Sequence, residues 1–282
     1  MTLADWLREA ALRLAAVSDT PRLDAELLVA HALGIERQDM LLRLRNLAAP
    51  KAVEKLVARR LLHEPVAHIT GTRDFWTLTL AVTPDTLIPR PDSETLIEAA
   101  VVHFAGMDGP RRVLDLGTGS GALLLAALDQ WPAATGLGID ISPRALSVAH
   151  GNARWLGLAE RSRFRQGDWG AAVDERFDLL LCNPPYISTR ETLSPQVADH
   201  EPYGALFAGV DGLDCYRMLA PQTARLLTPG GVALFEIGHD QGESVPALFV
   251  EAGFQPLVLH DLGGRPRCVK LVGDPDMERM GG

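Results

Sequence analysis

Four consecutive residues, Asn183-Pro184-Pro185-Tyr186, have the chemistry to hold a planar nitrogen group. They follow the apolar run Leu179–Cys182, which is typical of a buried strand. Each proline fixes its own φ and pushes the preceding residue towards extended backbone, so the segment is expected to be rigid. A planar NH2 group has two donors, which the Asn183 side-chain oxygen and the Pro184 carbonyl can accept. The nitrogen lone pair would then face an electrophile, with Tyr186 covering the group or favouring positive charge through its ring.

A second chemical segment, Asp115-Leu116-Gly117-Thr118-Gly119-Ser120-Gly121, follows a strand pattern and opens a helix pattern. The glycines allow a tight turn and a close approach of the backbone to a ligand. The helix start adds unpaired N–H groups that suit an anionic group. The spacing Gly-x-Gly-x-Gly is one residue shorter than the dinucleotide fingerprint. A tight strand-to-helix turn without a ligand is the alternative interpretation.

Acidic residues follow the next two strand patterns. Asp140 lies 19 residues after Gly121 and can accept hydrogen bonds from both hydroxyls of a ribose. Its alternative role is to cap the helix that begins at Pro143, although Ser142 competes for that role. Asp168 and the neighbouring Trp169 can contact a purine, the carboxylate accepting from an exocyclic amine, whereas Asp168 alone is more often a solvated turn residue.

The elements that position these residues alternate between strand and helix from Arg112 onward. Seven strands are predicted: Arg112–Leu116, Thr135–Asp140, Ser162–Gln166, Phe177–Cys182, Val232–Ile237, Pro256–Leu259 and Cys268–Val272. Four helices are predicted between them: Gly121–Gln130, Pro143–Leu156, Gly212–Leu227 and Glu243–Ala252. The alternation indicates an α/β, Rossmann-like, mostly parallel sheet with helices on both faces. Ligands of such sheets bind at the carboxyl ends of strands, where every motif above falls.

The first 90 residues have a different pattern. Residues 1–72 predict an all-helical bundle, in which Thr20 caps a helix that begins at Pro21 and stops at Gly34. Leu23, Leu27, Leu28 and His31 are predicted to share one face of that helix. Residues 73–90 predict a β-hairpin linker, with period-two alternation over Phe75–Val82 and a turn signal at Thr83-Pro84-Asp85. A large domain is then predicted over residues 91–282.

Composition narrows the class of protein. The formal net charge of −9 disfavours non-specific binding to a phosphate backbone. Cys182, Cys215 and Cys268 form neither a disulfide framework nor a metal spacing, and none of the eight histidines is paired with cysteines or acids at metal spacing. No signal-peptide pattern and no apolar run of about 18 residues is present, so a cytoplasmic protein without a metal or membrane partner is expected.

The glycine loop together with acids at successive strand ends resembles class I S-adenosylmethionine-dependent methyltransferases. That resemblance implies S-adenosylmethionine as the cofactor, with S-adenosylhomocysteine as the product. An NAD(P) dehydrogenase is the alternative for this half, and the shorter glycine spacing and the Asn-Pro-Pro-Tyr segment both weaken it. The Asn-Pro-Pro-Tyr segment itself resembles methyltransferases that act on exocyclic amines of DNA bases or on protein glutamine. Acidic charge and the absence of an evident target-recognition domain disfavour DNA.

Further segments resemble the bacterial peptide chain release factor N5-glutamine methyltransferases, in collinear order over nearly the whole chain. They are Glu64–Gly71, Arg73–Trp76, Leu87–Glu94, His200–Pro202, Gly209–Leu213 and Phe235–Gly238. A related family that modifies a ribosomal protein is similar in its cofactor and Asn-Pro-Pro-Tyr motifs and is the second alternative. That family has Arg-Ser-Pro where this chain has Arg90-Pro91, which favours a release factor over a ribosomal protein as the substrate. A non-catalytic module that binds adenosyl ligands or the translation apparatus is a third.

The resemblance implies a substrate and a set of roles. The substrate is the glutamine of the Gly-Gly-Gln motif in class I release factors, and the helical bundle is expected to dock the release factor. The enzyme is expected to be a monomer that contacts no nucleic acid directly. Cofactor contacts are expected from Asp115, Gly117, Thr118, Gly119, Ser120, Gly121, Asp140, Asp168, Trp169 and Asn183. The glutamine is expected to meet Asn183, Pro184, Pro185 and Tyr186, of which Asn183, Pro184 and Tyr186 are the expected catalytic residues. Arg90 either holds the linker against the larger domain or is a surface charge, and Glu236 either is structural or helps to position the substrate loop.

Overall fold

The structure of the protein, a computed structural model, describes residues 2–274, and these divide into two compact units. The smaller unit comprises the residues up to Thr72 together with Leu193–His200, and the larger comprises Arg73–Thr192 and the residues from Glu201 onward. No helix within residues 2–274 is both long enough and apolar enough to cross a membrane.

The smaller unit is a helical bundle around one apolar core. Its helices are α1 (Leu3–Leu14), α2 (Pro21–Leu33), α3 (Arg37–Leu42), α4 (Val53–Leu61), α5 (Val66–Thr70) and the later α9 (Pro195–Ala198). Gly34 ends α2 at a φ of 67°, in the left-handed region that favours glycine, as predicted. Thr20 precedes α2, but its side chain does not cap the helix because its hydroxyl donates to Asp24 instead.

The buried face of α2 differs from the prediction. His31 is exposed and Leu23 is 38% exposed, whereas Asp24 and Glu26 are buried. The two acids tolerate burial because arginines pair with them: Arg60 Nε donates to Asp24 at 2.7 Å, and Arg37 donates to Glu26 from α3. Hydrophobic periodicity counts charged residues as exposed, so it could not predict this face.

A short hairpin follows the bundle, with strands β1 (Thr72–Phe75) and β2 (Leu78–Ala81). Its turn lies at Trp76 and Thr77, inside the run Phe75–Val82, and the predicted turn at Thr83–Asp85 follows β2, where Thr86 N–H donates to Thr83 O at 3.2 Å. Trp76 adopts a φ of 55°, and its backbone N–H donates to Glu94 Oε1 at 2.9 Å. A side-chain acceptor 18 residues away therefore holds the turn, which local turn propensities cannot indicate.

The larger unit is a seven-stranded sheet between two layers of helices. Its strands are β3 (Arg112–Leu116), β4 (Thr135–Asp140), β5 (Ser162–Gln166), β6 (Phe177–Cys182), β7 (Leu227–Glu236), β8 (Leu257–His260) and β9 (Pro266–Val272). Its helices are α6 (Glu94–His103), α7 (Ala122–Gln130), α8 (Pro143–Trp155), α10 (Asp214–Leu226) and α11 (Ser244–Glu251). The strand order is β5-β4-β3-β6-β7-β9-β8, with β9 antiparallel to both of its neighbours and the other pairs parallel. The predicted α/β, mostly parallel seven-stranded fold is confirmed.

The register of the parallel strands brings the predicted motifs to one edge of the sheet. Leu116 of β3 pairs with Ile139 of β4 on one side and with Cys182 of β6 on the other. Residues that follow these strands therefore meet at the same carboxyl edge, around the end of β3. Apolar side chains on both faces of β3 and β6 bury these strands, which is the pattern expected for parallel strands covered by helices.

Candidate active site

A cavity of about 470 Å³ lies in the larger unit at the carboxyl edge of the sheet. Ten of the predicted site residues line it: Asp115, Gly117, Thr118, Gly119, Ser120, Asp140, Asp168, Trp169, Asn183 and Pro185. Gly121, Pro184 and Tyr186 are not among the described residues that form its wall. Several apolar side chains complete it, including Leu87, Phe207 and Met218. Ten of the thirteen predicted cofactor and substrate residues thus meet around one space.

The glycine loop reaches this cavity through a backbone that only glycine adopts easily. Gly117, Gly119 and Gly121 have φ values of 72°, 55° and 85°. A Cβ on Gly117 would lie 3.2 Å from a ring carbon of Trp169, so the indole covers the loop at close range. Gly121 does not face the cavity, and its left-handed conformation instead allows the chain to enter α7.

Asp115 is buried at the base of the glycine loop. It is 1% exposed, and its Oδ2 accepts a hydrogen bond from Thr118 Oγ1 at 2.6 Å. Burial raises the pKa of this carboxyl to about 7, because the charged form loses its hydration. Asp115 therefore helps to fix the conformation of the glycine loop through its hydrogen bond with Thr118, and it also lines the cavity.

Asp140 lies at the end of β4, as predicted, and binds backbone amides on both of its oxygens. Its Oδ2 accepts from Gly119 N–H and its Oδ1 accepts from Ser142 N–H, each at 2.8 Å. The helix cap is made by Ser142, whose Oγ accepts from Ala145 N–H at 3.2 Å. Asp140 is thus free of the capping role and keeps further lone pairs for a ligand. Burial raises its pKa, and the three backbone N–H groups beside it oppose that shift.

Asp168 and Trp169 follow β5 on the outer side of the cavity. The Asp168 side chain is exposed, and Trp169 is partly buried against the neighbouring core. Trp169 has a φ of 49°, an uncommon conformation for a bulky residue, which turns the chain directly after Asp168. The pair borders the same wall as Gly167, next to the end of β4.

Asn183 directly follows β6, and its amide already has one fixed partner. Its Nδ2 donates to the hydroxyl of Ser93 at 2.9 Å, and both residues line the cavity. Pro184 is buried, and Tyr186 donates its phenol proton to Oε1 of Glu236 at 3.3 Å. Glu236 is 1% exposed at the end of β7, and burial raises its pKa to about 7. Ser93 was not predicted, because one serine before a helix has no signal of its own.

Two further contacts hold the segment that contains Asn183 and Tyr186. Gln241 donates from Nε2 to the backbone oxygens of Tyr186 and Gly212, and it accepts from Gly238 N–H. Ile187 forms a parallel bridge with Phe207, in which Ala208 N–H donates to Ile187 O at 2.9 Å. The side chain of Gln241 is nearly buried, so its three bonds are shielded from water. The loop is therefore fixed by distant residues as well as by its own prolines.

Arg90 has a defined partner. It donates to Glu201, whose side chain is fully buried and whose second oxygen accepts from Ile88 N–H at 3.1 Å. Glu201 is thus the acceptor for both a side chain and a backbone group of the segment before α6. Of the two roles considered for Arg90, the structure favours fixing this segment over that of an unpaired surface charge.

The geometry fits an adenosyl cofactor. A carboxylate at the end of β4, a glycine loop at the end of β3 and an aromatic residue beyond β5 surround one largely apolar space. Within residues 2–274, no group of three or more His, Cys, Asp or Glu side chains is arranged to hold a metal ion. The fold and this cavity define a class I methyltransferase, a class that uses S-adenosylmethionine.

Comparison with known proteins agrees with this class and narrows it. The family models "Methyltransferase domain" and "PrmC N-terminal domain" match residues 108–243 and 5–71. Release factor glutamine methyltransferase from Rhodospirillum rubrum is 47% identical over 264 residues, covering 92% of this chain and 80% of that protein. Its counterpart from Cereibacter sphaeroides is 46% identical, covering 95% of this chain and 98% of that protein. A methyltransferase structure from Pyrococcus furiosus shares the fold, with a TM-score of 0.52 at 15% identity, over 77% of this chain and 97% of that one. The chain belongs to the release factor glutamine methyltransferases.

Proposed function

We propose that this chain transfers a methyl group from S-adenosylmethionine to the side-chain amide nitrogen (N5) of the glutamine in the Gly-Gly-Gln motif of class I peptide chain release factors. The observation that carries the proposal is the position of Asn183. It lines the same cavity as Asp140 and the glycine loop, and its Nδ2 is already bonded, which leaves its oxygen as the acceptor for a substrate NH2. The family of the chain supports glutamine as the substrate.

The cofactor residues have separate tasks in this proposal. Asp140 accepts from the ribose hydroxyls, and Asp168 and Trp169 contact the adenine. The backbone from Gly117 to Ser120 approaches the rest of the molecule, and Gly121 lets the chain enter α7 directly after it. Asp115 supports the loop through its hydrogen bond with Thr118 and lines the same cavity. S-adenosylmethionine, when bound, supplies an electrophilic methyl group.

The glutamine is held by the loop after β6. Asn183 Oδ1 and the Pro184 carbonyl accept its two N–H groups, and the Pro185 and Tyr186 side chains border the amide. This arrangement directs the nitrogen lone pair at the methyl carbon without a base, because the nitrogen releases its proton to water after the new bond forms. Most of the rate enhancement then comes from alignment and from acceptors for the positive charge that develops on nitrogen.

The remaining parts of the proposal concern partners. Residues 1–72 form a docking domain for the release factor, residues 73–90 form a linker and residues 91–282 form the catalytic domain. Residues 1–72 carry ten basic and nine acidic residues, so the acidic excess of the chain lies outside this segment. The enzyme acts as a cytoplasmic monomer and makes no direct contact with nucleic acid.

Mass spectrometry of the Gly-Gly-Gln peptide tests the central proposal. The protein is incubated with S-adenosylmethionine and an intact release factor, and the digested peptide is expected to carry one added methyl group on glutamine. Parallel reactions contain a ribosomal protein or DNA. Methylation of either of these, with none on the release factor, would overturn the proposal. Asn183→Ala is expected to abolish transfer with little change in cofactor affinity, whereas an exposed control, Arg154→Ala, is expected to retain it.

A comparison of two substrates tests the docking role of residues 1–72. Leu42 is 85% exposed and is followed by the exposed Arg43, so the double variant Leu42→Ser, Arg43→Glu changes a surface without disturbing a core. It is expected to raise KM for an intact release factor and to leave KM for a short Gly-Gly-Gln peptide unchanged. An equal change for both substrates would count against docking at this surface. Light scattering of the wild type tests the monomer.

A further inference from the structure

The side-chain amide of Asn183 has two possible orientations, and the segment Asn183–Tyr186 does not itself determine which one is adopted. A planar amide can rotate by a half turn, which exchanges its acceptor oxygen with its donor nitrogen while occupying the same space. The proposed function needs the oxygen towards the substrate, because an NH2 group presented to another NH2 group offers no acceptor. Some neighbour must therefore select one of the two orientations.

Ser93 is the neighbour that contacts the amide. It is 4% exposed and lies immediately before α6, and its Oγ receives the hydrogen bond from Asn183 Nδ2 at 2.9 Å. A hydroxyl, however, can donate as well as accept. Ser93 alone would accommodate either orientation of the Asn183 amide, so its presence does not explain the selection.

Glu236 determines the direction in which the Ser93 hydroxyl donates its proton. Its buried carboxyl lies close enough to Ser93 that the hydroxyl lowers the carboxyl's pKa, in opposition to the effect of burial. Its Oε1 accepts the phenol proton of Tyr186, and its buried Oε2 makes no hydrogen bond of ordinary geometry within the described residues. Once Glu236 is ionised, as pH rises above about 7, its carboxylate only accepts, so it attracts the Ser93 proton and leaves the Ser93 lone pairs towards Asn183.

We propose that Ser93 and Glu236 are positioning residues for methyl transfer: together they orient the Asn183 amide with its oxygen towards the substrate. Glu236 also anchors Tyr186, so one buried carboxyl at the end of β7 supports both ends of the Asn183–Tyr186 segment. Neither residue contacts the reacting atoms. This inference rests on the proposed glutamine methylation, but its structural part, the orientation of the amide, does not require a substrate.

Steady-state kinetics of Ser93→Ala and Glu236→Gln at about pH 8, where the Glu236 carboxyl is ionised, tests the catalytic part. Both variants release the Asn183 amide from its preferred orientation, so kcat is expected to fall about 10²-fold, the loss typical of a displaced positioning group. Cofactor affinity and KM for the release factor are expected to stay within about twofold of wild type, since the residues that bind both remain in place. Ser93→Thr keeps the hydroxyl and is expected to keep most of the turnover. Exposed matched controls are Ser147→Ala and Glu98→Gln.

The side-chain amide signals of Asn183 in a proton–nitrogen NMR spectrum test the structural part without any substrate. These signals are identified by their loss in Asn183→Ala, and they are expected to move in Ser93→Ala and in Glu236→Gln but not in the two controls. Wild-type kcat in Ser93→Ala, unmoved signals, or a loss of cofactor affinity that matches the loss of turnover would each overturn the proposal. If the wild type methylates no release factor, the proposed function fails, and the NMR result still decides whether these residues orient the amide.

Discussion

Replacing Asn152 with alanine is expected to destabilise the larger unit more than any exposed substitution on the same helix. Asn152 is fully buried on α8 and makes three hydrogen bonds to backbone groups. Its Oδ1 accepts from Ala81 N–H at 2.8 Å, and its Nδ2 donates to Ala81 O at 3.0 Å and to Ser120 O at 2.9 Å. One amide therefore joins the hairpin strand β2 to the glycine loop.

The size of the effect follows from these three bonds. The two bonds to Ala81 are partly accessible to water and contribute about 1 kcal/mol each. The Ser120 carbonyl is bonded in a buried environment, so removing its donor leaves an unsatisfied group that costs about 2 kcal/mol. The free energy of unfolding is expected to fall by about 4 kcal/mol in total. Because Ser120 lines the cavity, cofactor affinity is expected to fall as well.

Urea unfolding followed by tryptophan fluorescence measures this change. Four of the five tryptophans, Trp76, Trp131, Trp155 and Trp169, belong to the larger unit, so the signal reports mainly on that unit. Arg154→Ala on the exposed side of α8 is the control and is expected to change stability by less than about 0.5 kcal/mol. A loss below about 1 kcal/mol for Asn152→Ala would refute the reasoning that this amide carries three net-stabilising bonds.

Three further predictions concern the site and its support. Asp140→Asn keeps the shape but halves the acceptor oxygens, so calorimetry should show a cofactor Kd raised about 10- to 100-fold, with no change for the exposed Asp174→Asn. Gly138→Ala puts a Cβ 2.7 Å from the nearest side-chain carbon and should cost about 1–3 kcal/mol in thermal unfolding, whereas Gly151→Ala meets nothing within 4 Å inside α8 and should stabilise by about 0.5–1 kcal/mol. The neutral Glu236 carboxyl contributes stability that is present below its ordinary pKa of 4.5 and is lost as pH rises through about 7. Relative to wild type, Glu236→Gln should therefore gain about 3 kcal/mol in unfolding free energy between pH 5 and pH 8, and a constant difference would show that the carboxyl is ionised throughout.

The charged groups around Glu236 shift its pKa in opposite directions. Arg267 favours the ionised carboxylate and Asp92 disfavours it, while the phenol of Tyr186 donates to it directly. Arg267 is itself paired with Asp92 at 3.1 Å and with Asp261 at 3.2 Å, so part of its charge is already compensated. Burial therefore remains the largest influence on the pKa of Glu236, and it acts in the raising direction.

Most strands of the larger unit were predictable because they are short apolar runs, whereas β5, at the edge of the sheet, is largely polar and exposed. The limits of β3, β4, β5 and β6 agree with the prediction. β7 begins five residues earlier than predicted, since Leu227–Gly231 includes two glycines and a proline that weaken a strand pattern. The helix α5 was missed because Val66–Thr70 is too short to show a helical period.

The site was predictable to the extent that each functional residue lies at the end of a strand. Asp115, Asp140 and Asn183 could be identified singly, and the parallel topology then implied that they meet at one edge. Arg90 and Glu236 stayed undecided, because their roles depend on partners 111 and 50 residues away. No periodicity connects such distant positions, so sequence patterns carry no information about which of them touch.

The residues that sequence reasoning missed share one property: they act on backbone groups or on other side chains of the site. Gln241, Ser93 and Asn152 each satisfy buried polar groups of a loop whose own sequence was recognised. A buried amide or hydroxyl without such a partner would cost free energy, so the fold must supply one wherever a rigid loop turns inward. The Asn183–Tyr186 segment therefore specifies which chemistry is possible, whereas the distant residues that satisfy it determine whether its acceptors point the right way. A transplant of the four residues onto another strand end, without counterparts of Ser93, Glu236 and Gln241, is for that reason not expected to reproduce the site.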